Sequence, residues 1–132
     1  MLAAKQMKPS IKVIAGEPKG ADDCAQSLEA GQLIPQTAPN TIADGLRTSV
    51  GHLNFPVIQK YVDKVLTVTE EEIMAAMRLV WERAKLIIEP SSAVPVAVAL
   101  FHPDFKSWQL GDVGIILSGG NVDLLEWSWH KH

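Results

Sequence analysis

The 132-residue chain has a single cysteine, Cys24, so no internal disulfide can form and a reducing compartment fits. No apolar run reaches the roughly 18 residues that a membrane span requires. The opening "MLAAKQMKPS" has no secretory apolar core. Neither sign of charge dominates: the net charge is −3, which argues against a general nucleic-acid-binding surface. These absences predict a cytoplasmic protein with no membrane and no nucleic-acid partner. Apolar residues make up 47 % and charged residues 20 %, which suits one globular core. The length allows one compact domain and not two. No internal repeat and no low-complexity stretch is visible.

The pattern alternates between strand and helix signals. "IKVIAGEP" is β-branched and apolar and stops at Gly16 and Pro18, as a buried strand does. "ADDCAQSLEAG" opens on two acids and closes on Gly31, which are helix start and stop signals. "LIPQTAPNTIADG" reads as a loop. "FPVIQKYVDK" reads as a short amphipathic helix and "VLTVT" as a second strand. In "TEEEIMAAMRLVWERAKLII", Thr69 and Glu72 have capping-box spacing, and Ile73, Met77, Val80, Ala84 and Ile87 share one helical stripe. "SSAVPVAVALF" is apolar on every side and predicts a buried helix. With Ser92 as its N-cap, Pro95 falls at the third helical position, where no intrahelical partner is lost. "VGIIL", residues 113–117, reads as a third strand.

Three buried strands interleaved with helices imply parallel βα units. A three-stranded sheet leaves two unpaired edges, so the chain reads as part of a larger α/β unit. "LAAKQMKP" reads as the tail of a helix that begins earlier.

Several residues are chemical candidates. Ser118-Gly119-Gly120 follows an apolar run and is either a tight strand-to-helix turn or a backbone cradle for phosphate. The Ser118 hydroxyl offers another role, because a neutral hydroxyl can bond an aromatic ring nitrogen without protonating it. In "GEPKGADD", Glu17 and the paired Asp22 and Asp23 either cap a helix or share a hard cation with a backbone carbonyl. "NTIADG", with Asp44 and Gly45, is composed like an ordinary turn. His52, His102, His130 and His132 lack metal spacing and read as surface residues, the last two in an exposed tail with Trp127 and Trp129. Cys24 reads as a buried thiol and Trp81 as core.

The blocks "EPKGADD", "NTIADGLRTSVG", "VTEEEI", "ERAKLIIEPSSAV" and "GIILSGGNVDL" occur in this order. Together they resemble the C-terminal half of serine racemase and the related serine/threonine dehydratases, which are fold-type II pyridoxal-phosphate (PLP) enzymes. The resemblance runs from about Leu2 to Leu124. It implies the C-terminal part of a three-layer α/β/α large domain with a parallel sheet, so that residues 1–132 form one incomplete domain without the family's small domain. It implies that Ser118, with Gly119 beside it, meets the pyridine nitrogen of PLP and that Gly45 lines the ring. It implies Mg²⁺ or Mn²⁺ held by the side chains of Glu17 and Asp23 and the carbonyl of Ala21. Lys85 and Asn121 match positions near the nucleotide-effector site of mammalian family members.

The sequence also departs from the family. After the long helix the family reads E-P-S/T-G/A-G/A-x-G, where this chain has "EPSSAVPV" with Ser92 and Pro95. No lysine lies in the S-x-K-x-R-G-A context of the family's Schiff-base lysine, and the glycine-rich phosphate loop is absent from these residues. Two expectations follow. One is a portion of a serine/threonine ammonia-lyase or serine racemase that acts on an amino acid only when another portion supplies the lysine. The other is a non-catalytic metal-binding or interaction module, paired with itself or with full-length relatives through its strand edge.

Overall fold

A computed structural model describes residues 1–127. Trp129, His130 and His132 of the expected exposed tail lie outside the described residues. The fold is α/β. Strand β1 (Ile14–Pro18) pairs in parallel with β2 (Lys64–Val68), in the register Ile14 to Lys64 through Pro18 to Val68. Between them run helix α2 (Asp23–Ala30), a long loop with a 3-10 turn at Asp44–Leu46, and α3 (Phe55–Tyr61). Helix α1 (Leu2–Met7) precedes the sheet, and α4 (Glu70–Leu79), α5 (Pro90–Phe101) and α6 (Pro103–Ser107) follow it.

The local signals explain most of these elements. Helix α2 ends at Gly31, whose left-handed φ of 68° a residue with a Cβ would resist. Helix α4 begins with a complete capping box. The Glu72 amide donates to Thr69 Oγ1 at 3.2 Å, and the Thr69 amide donates to Glu72 Oε2 at 2.8 Å. The Asp63 carboxylate, just before β2, accepts from Lys5 Nζ at 2.6 Å and from the Val13 amide at 2.7 Å. That bond pair ties α1 to the start of both strands.

The core sits where α5 packs on both strands and on α4. Val68, Ile73, Met77 and Val94 are fully buried, and each stabilises the fold by roughly 1.5–3 kcal/mol relative to exposure. Gly16 makes the approach possible, since a Cβ there would lie 3.0 Å from Val98 and 3.1 Å from Val94. Trp81 packs against this core, and its Nε1 donates to the Ile88 carbonyl at 2.9 Å.

Four sequence expectations are corrected. The sheet has two strands among the described residues, because 113–117 forms no strand. No backbone hydrogen bond joins its residues to any other described residue, and Ile116 is 81 % exposed. The long helix does not continue to Ile88. After Leu79 it widens into a π turn (Val80–Ala84) and stops at Lys85, whose φ of 58° is left-handed, so Ala84 and Ile87 leave the buried stripe and are exposed. Helix α5 starts at Pro90 with Glu89 as N-cap, not at Ser92. Pro95 therefore lies inside the helix, and its missing amide leaves the Ser91 carbonyl without its helical donor. Lastly, Trp127 packs against the core and His102 is half-buried, so neither is a surface residue.

Candidate functional site

Two loops that are far apart in sequence meet at the start of α5. On one side, the Glu89 amide donates to the Gly119 carbonyl at 3.1 Å, and Glu89 Oε2 accepts from the Asn121 amide at 2.9 Å. A Cβ on Gly119 would come within 2.9 Å of the Glu89 carboxylate, and one on Gly120 within 2.3 Å of the Ile87 carbonyl. On the other side, the Gly45 amide donates to Ser91 Oγ at 3.1 Å and to its neighbour Asp44 Oδ1 at 3.0 Å. A Cβ on Gly45 would meet Ser91 Oγ at 3.0 Å. Small residues are thus demanded by close packing on Glu89 and Ser91. Ser118 is exposed, and among the described residues its hydroxyl makes no hydrogen bond. Gly45 is exposed too, and Gly119 is half-buried.

Glu89 is not among the residues that the sequence singles out. Its signal is there: an acid directly before a proline that occupies the first helical position. Lys85 Nζ donates to the Glu82 carbonyl at 2.6 Å and closes the end of the π turn.

The acidic block lies at the junction of β1 and α2. Glu17, on β1, reaches the start of α2, where its two carboxylate oxygens accept from the Cys24 amide at 3.2 Å and the Ala25 amide at 2.9 Å. A side chain from the preceding strand thereby satisfies helix amides that Asp22 leaves open. Burial, with Asp23 and Asp22 nearby, pushes the Glu17 carboxyl up to about 7 despite these bonds. Asp23 is buried and its Oδ2 accepts from the Val50 amide at 2.8 Å, which pins the following loop. The Ala21 carbonyl and Asp23 Oδ1 accept no hydrogen bond among the described residues. No three acidic, histidine or cysteine side chains gather to hold a metal among the described residues. The donor set is two carboxylates and one carbonyl, all oxygen, which suits a hard divalent cation with water completing its shell. Cys24 is buried beside these acids, and burial pushes its thiol up to about 11, so it is an inert thiol.

Residues 1–119 match the family model described as pyridoxal-phosphate dependent enzyme. The chain is 55 % identical over 126 residues to the serine racemase of Dictyostelium discoideum, covering 93 % of this chain and 39 % of that protein. It superposes on maize serine racemase with a TM-score of 0.90 at 47 % identity, covering 99 % of this chain and 41 % of that one. On the threonine deaminase isoform 2 of Solanum lycopersicum, in its processed form, the TM-score is 0.83 at 31 % identity, covering 97 % and 37 %. The chain therefore spans about two-fifths of the length of these relatives. With the family match running over most of the chain, the chain belongs to the pyridoxal-phosphate dependent enzyme family.

Proposed function

We propose that this chain is the C-terminal portion of the large domain of a PLP-dependent serine/threonine ammonia-lyase or serine racemase. In this reading residues 1–132 form one incomplete domain, with the small domain elsewhere. The reaction is L-serine or L-threonine to a 2-oxo acid plus ammonia, or inversion of serine at Cα. The observation that carries the reading is the convergence of the Gly45 loop and the Ser118 turn on the α5 start, beneath a Ser118 hydroxyl that faces solvent without a partner.

PLP, when bound, supplies an electron-withdrawing ring that eases loss of the Cα proton. The chain's own part is to bind and orient. Ser118 Oγ would donate to the ring nitrogen and, being neutral, leave it unprotonated. Gly119 and Gly45 present no side chain toward the ring, and Glu89 holds the Ser118 turn in place. Glu17, Asp23 and the Ala21 carbonyl would hold Mg²⁺ or Mn²⁺ and fasten the end of β1 to α2. Lys85 and Asn121 would lie beside an effector site. No lysine here has the family's Schiff-base context, so these 132 residues alone are inactive.

The test is a titration of the purified chain with PLP, followed by absorbance and by amide shifts. Shifts centred on Gly45, Ser118 and Gly119, with no band that borohydride fixes covalently, are expected. A borohydride-fixed band would overturn the inactivity, and shifts confined to other residues would overturn the site.

A second reading has its own observation. The Ala21 carbonyl and Asp23 Oδ1 stand unengaged beside Glu17, as a cation site with no catalytic duty would have them. Such a module would bind a divalent cation and associate with full-length relatives. It predicts that Mg²⁺ or Mn²⁺ raises the melting temperature and that Glu17→Ala abolishes the rise. An unchanged metal-dependent shift in that variant would count against it.

A further inference from the structure

The loop that carries Gly45 belongs to no strand or long helix, yet its residues are sorted. Ala43 is fully buried, and Ile42 and Leu46 pack against the core. Asp44 and Gly45 are left exposed at the tip, within the 3-10 turn Asp44–Leu46. Two charged side chains grip the base of this loop. Arg47 folds back over it, and its Nε and Nη2 both donate to the Thr41 carbonyl, at 3.0 and 2.7 Å. Among the described residues that carbonyl takes no backbone amide, and Arg47 pairs with no carboxylate. Glu70 reaches in from the first turn of α4, and its Oε2 accepts from the Ile42 amide at 2.8 Å. Its Oε1 is buried without a partner. A glutamate turned outward would keep both oxygens in water, so the inward position costs free energy that the bond to Ile42 must offset.

We infer that Arg47 and Glu70 are positioning residues for the cofactor face: together they fix the base of the loop so that Gly45 meets the pyridine ring as bare backbone. This rests on the reading that Gly45 lines that ring. Each acts through Gly45, and neither meets the cofactor. At the tip itself the hold is slight, because the one Gly45 amide is shared between Ser91 Oγ at 3.1 Å and Asp44 Oδ1 at 3.0 Å. The firm bonds fall at Thr41 and Ile42, on the residues that lead into the tip. With Arg47 on the Thr41 carbonyl, Thr41 to Arg47 becomes a closed ring. Closure removes backbone freedom that the loop would otherwise lose when a ligand arrives, so the surface is set before binding. Glu70 then ties this ring to α4, and Ser91 ties it to α5. These two helices pack on each other, and Glu89 at the start of α5 holds the Ser118 turn. Gly45 and Ser118 are thereby referred to one rigid pair of helices.

The experiment titrates the purified chain with PLP and reads the amide shifts of Gly45 and Ser118 at saturation, where affinity no longer affects them. The melting temperature is measured alongside, without PLP. In the parent chain both amides shift. In Arg47→Ala the Gly45 shift should shrink while the Ser118 shift persists, and half-saturation should need about tenfold more PLP, as the loss of a charge-assisted bond predicts. Glu70→Ala should do the same. Glu70→Gln keeps an acceptor for the Ile42 amide and should restore the Gly45 shift. Arg47 is exposed, so Arg47→Ala keeps the test decisive if Glu70→Ala does not fold. A purely structural role would lower the melting temperature and shrink both shifts together, and that result overturns the proposal. A Gly45 shift as large in either folded alanine variant as in the parent overturns it too, while the site reading stands. No shift at Gly45 in the parent chain overturns the site reading and the proposal together.

Discussion

Ser92 is fully buried and its hydroxyl has no hydrogen-bond partner, although Ser91 beside it binds the Gly45 amide. A buried hydroxyl without a partner costs about 1–3 kcal/mol. Ser92→Ala removes the group and leaves only a small void, so a gain of about 1 kcal/mol is expected. A thermal melt should show this as a rise of about 3 °C. A fall would mean that the hydroxyl is satisfied by a buried water. The same residue shows where the sequence misleads. Serine is a preferred N-cap, and the apolar run begins right after it, so the pattern points to Ser92 for that duty. The real cap is Glu89, because Pro90 already has the φ of a first helical residue and needs no amide donor. Gly45 and Gly119 are legible as small residues in loops. That Ser91 and Glu89 enforce their smallness is not, because the contact joins residues distant in sequence.

At the scale of elements, legibility follows whether an element is held by local signals or by a partner. Helices α2 and α4 declare themselves through Gly31, Thr69 and Glu72, all within a turn of the ends they fix. The two strands β1 and β2 are legible in the sequence and pair with each other. The run 113–117 has equal strand propensity, but a strand exists only as part of a pair, and among the described residues it has none. The π turn at Val80–Ala84 is invisible because Glu82, Arg83 and Ala84 are good helix formers and nothing in the run breaks a helix. What ends the helix is Lys85 in a left-handed conformation, with its ammonium on the Glu82 carbonyl. The turn after residue 117 likewise depends on another element, the α5 cap. Glu89→Ala should therefore loosen it: loss of one charge-assisted bond predicts about tenfold faster exchange of the Asn121 amide. Glu89→Gln keeps an acceptor and should restore most of the protection. Equal exchange in all three proteins would remove Glu89 from the role of holding the Ser118 turn.

For the whole molecule, composition and block order are enough to indicate an α/β chain of this family, and the described structure agrees with that coarse reading. They are silent on the electrostatic balance of the chain, because the environment of Glu17 exists only once α2 has folded over it. Its carboxyl ordinarily titrates near 4.5 and is raised to about 7 in the fold, first by burial and then by Asp23 and Asp22. Below pH 4.5 the folded and unfolded chains both hold this proton, and Glu17 takes nothing from the stability of the fold. Between 4.5 and 7 the unfolded chain releases the proton while the folded chain keeps it, so stability falls as pH rises, and it levels off above 7. The full difference corresponds to about 3 kcal/mol, and solvent reaching the half-buried carboxylate cuts this to about 1–2 kcal/mol. Urea unfolding in metal-free buffer at about pH 5 and about pH 7.5, on either side of most of that window, measures it. Glu17→Gln cannot ionise and should flatten the profile across this window. Millimolar Mg²⁺ should restore stability at the higher pH in the parent chain alone, because a cation beside Asp23 and Ala21 favours the ionised carboxylate that burial disfavours. A parent profile as flat as that of Glu17→Gln would mean that the acidic block is solvated in solution and that no cation is needed to settle its charge.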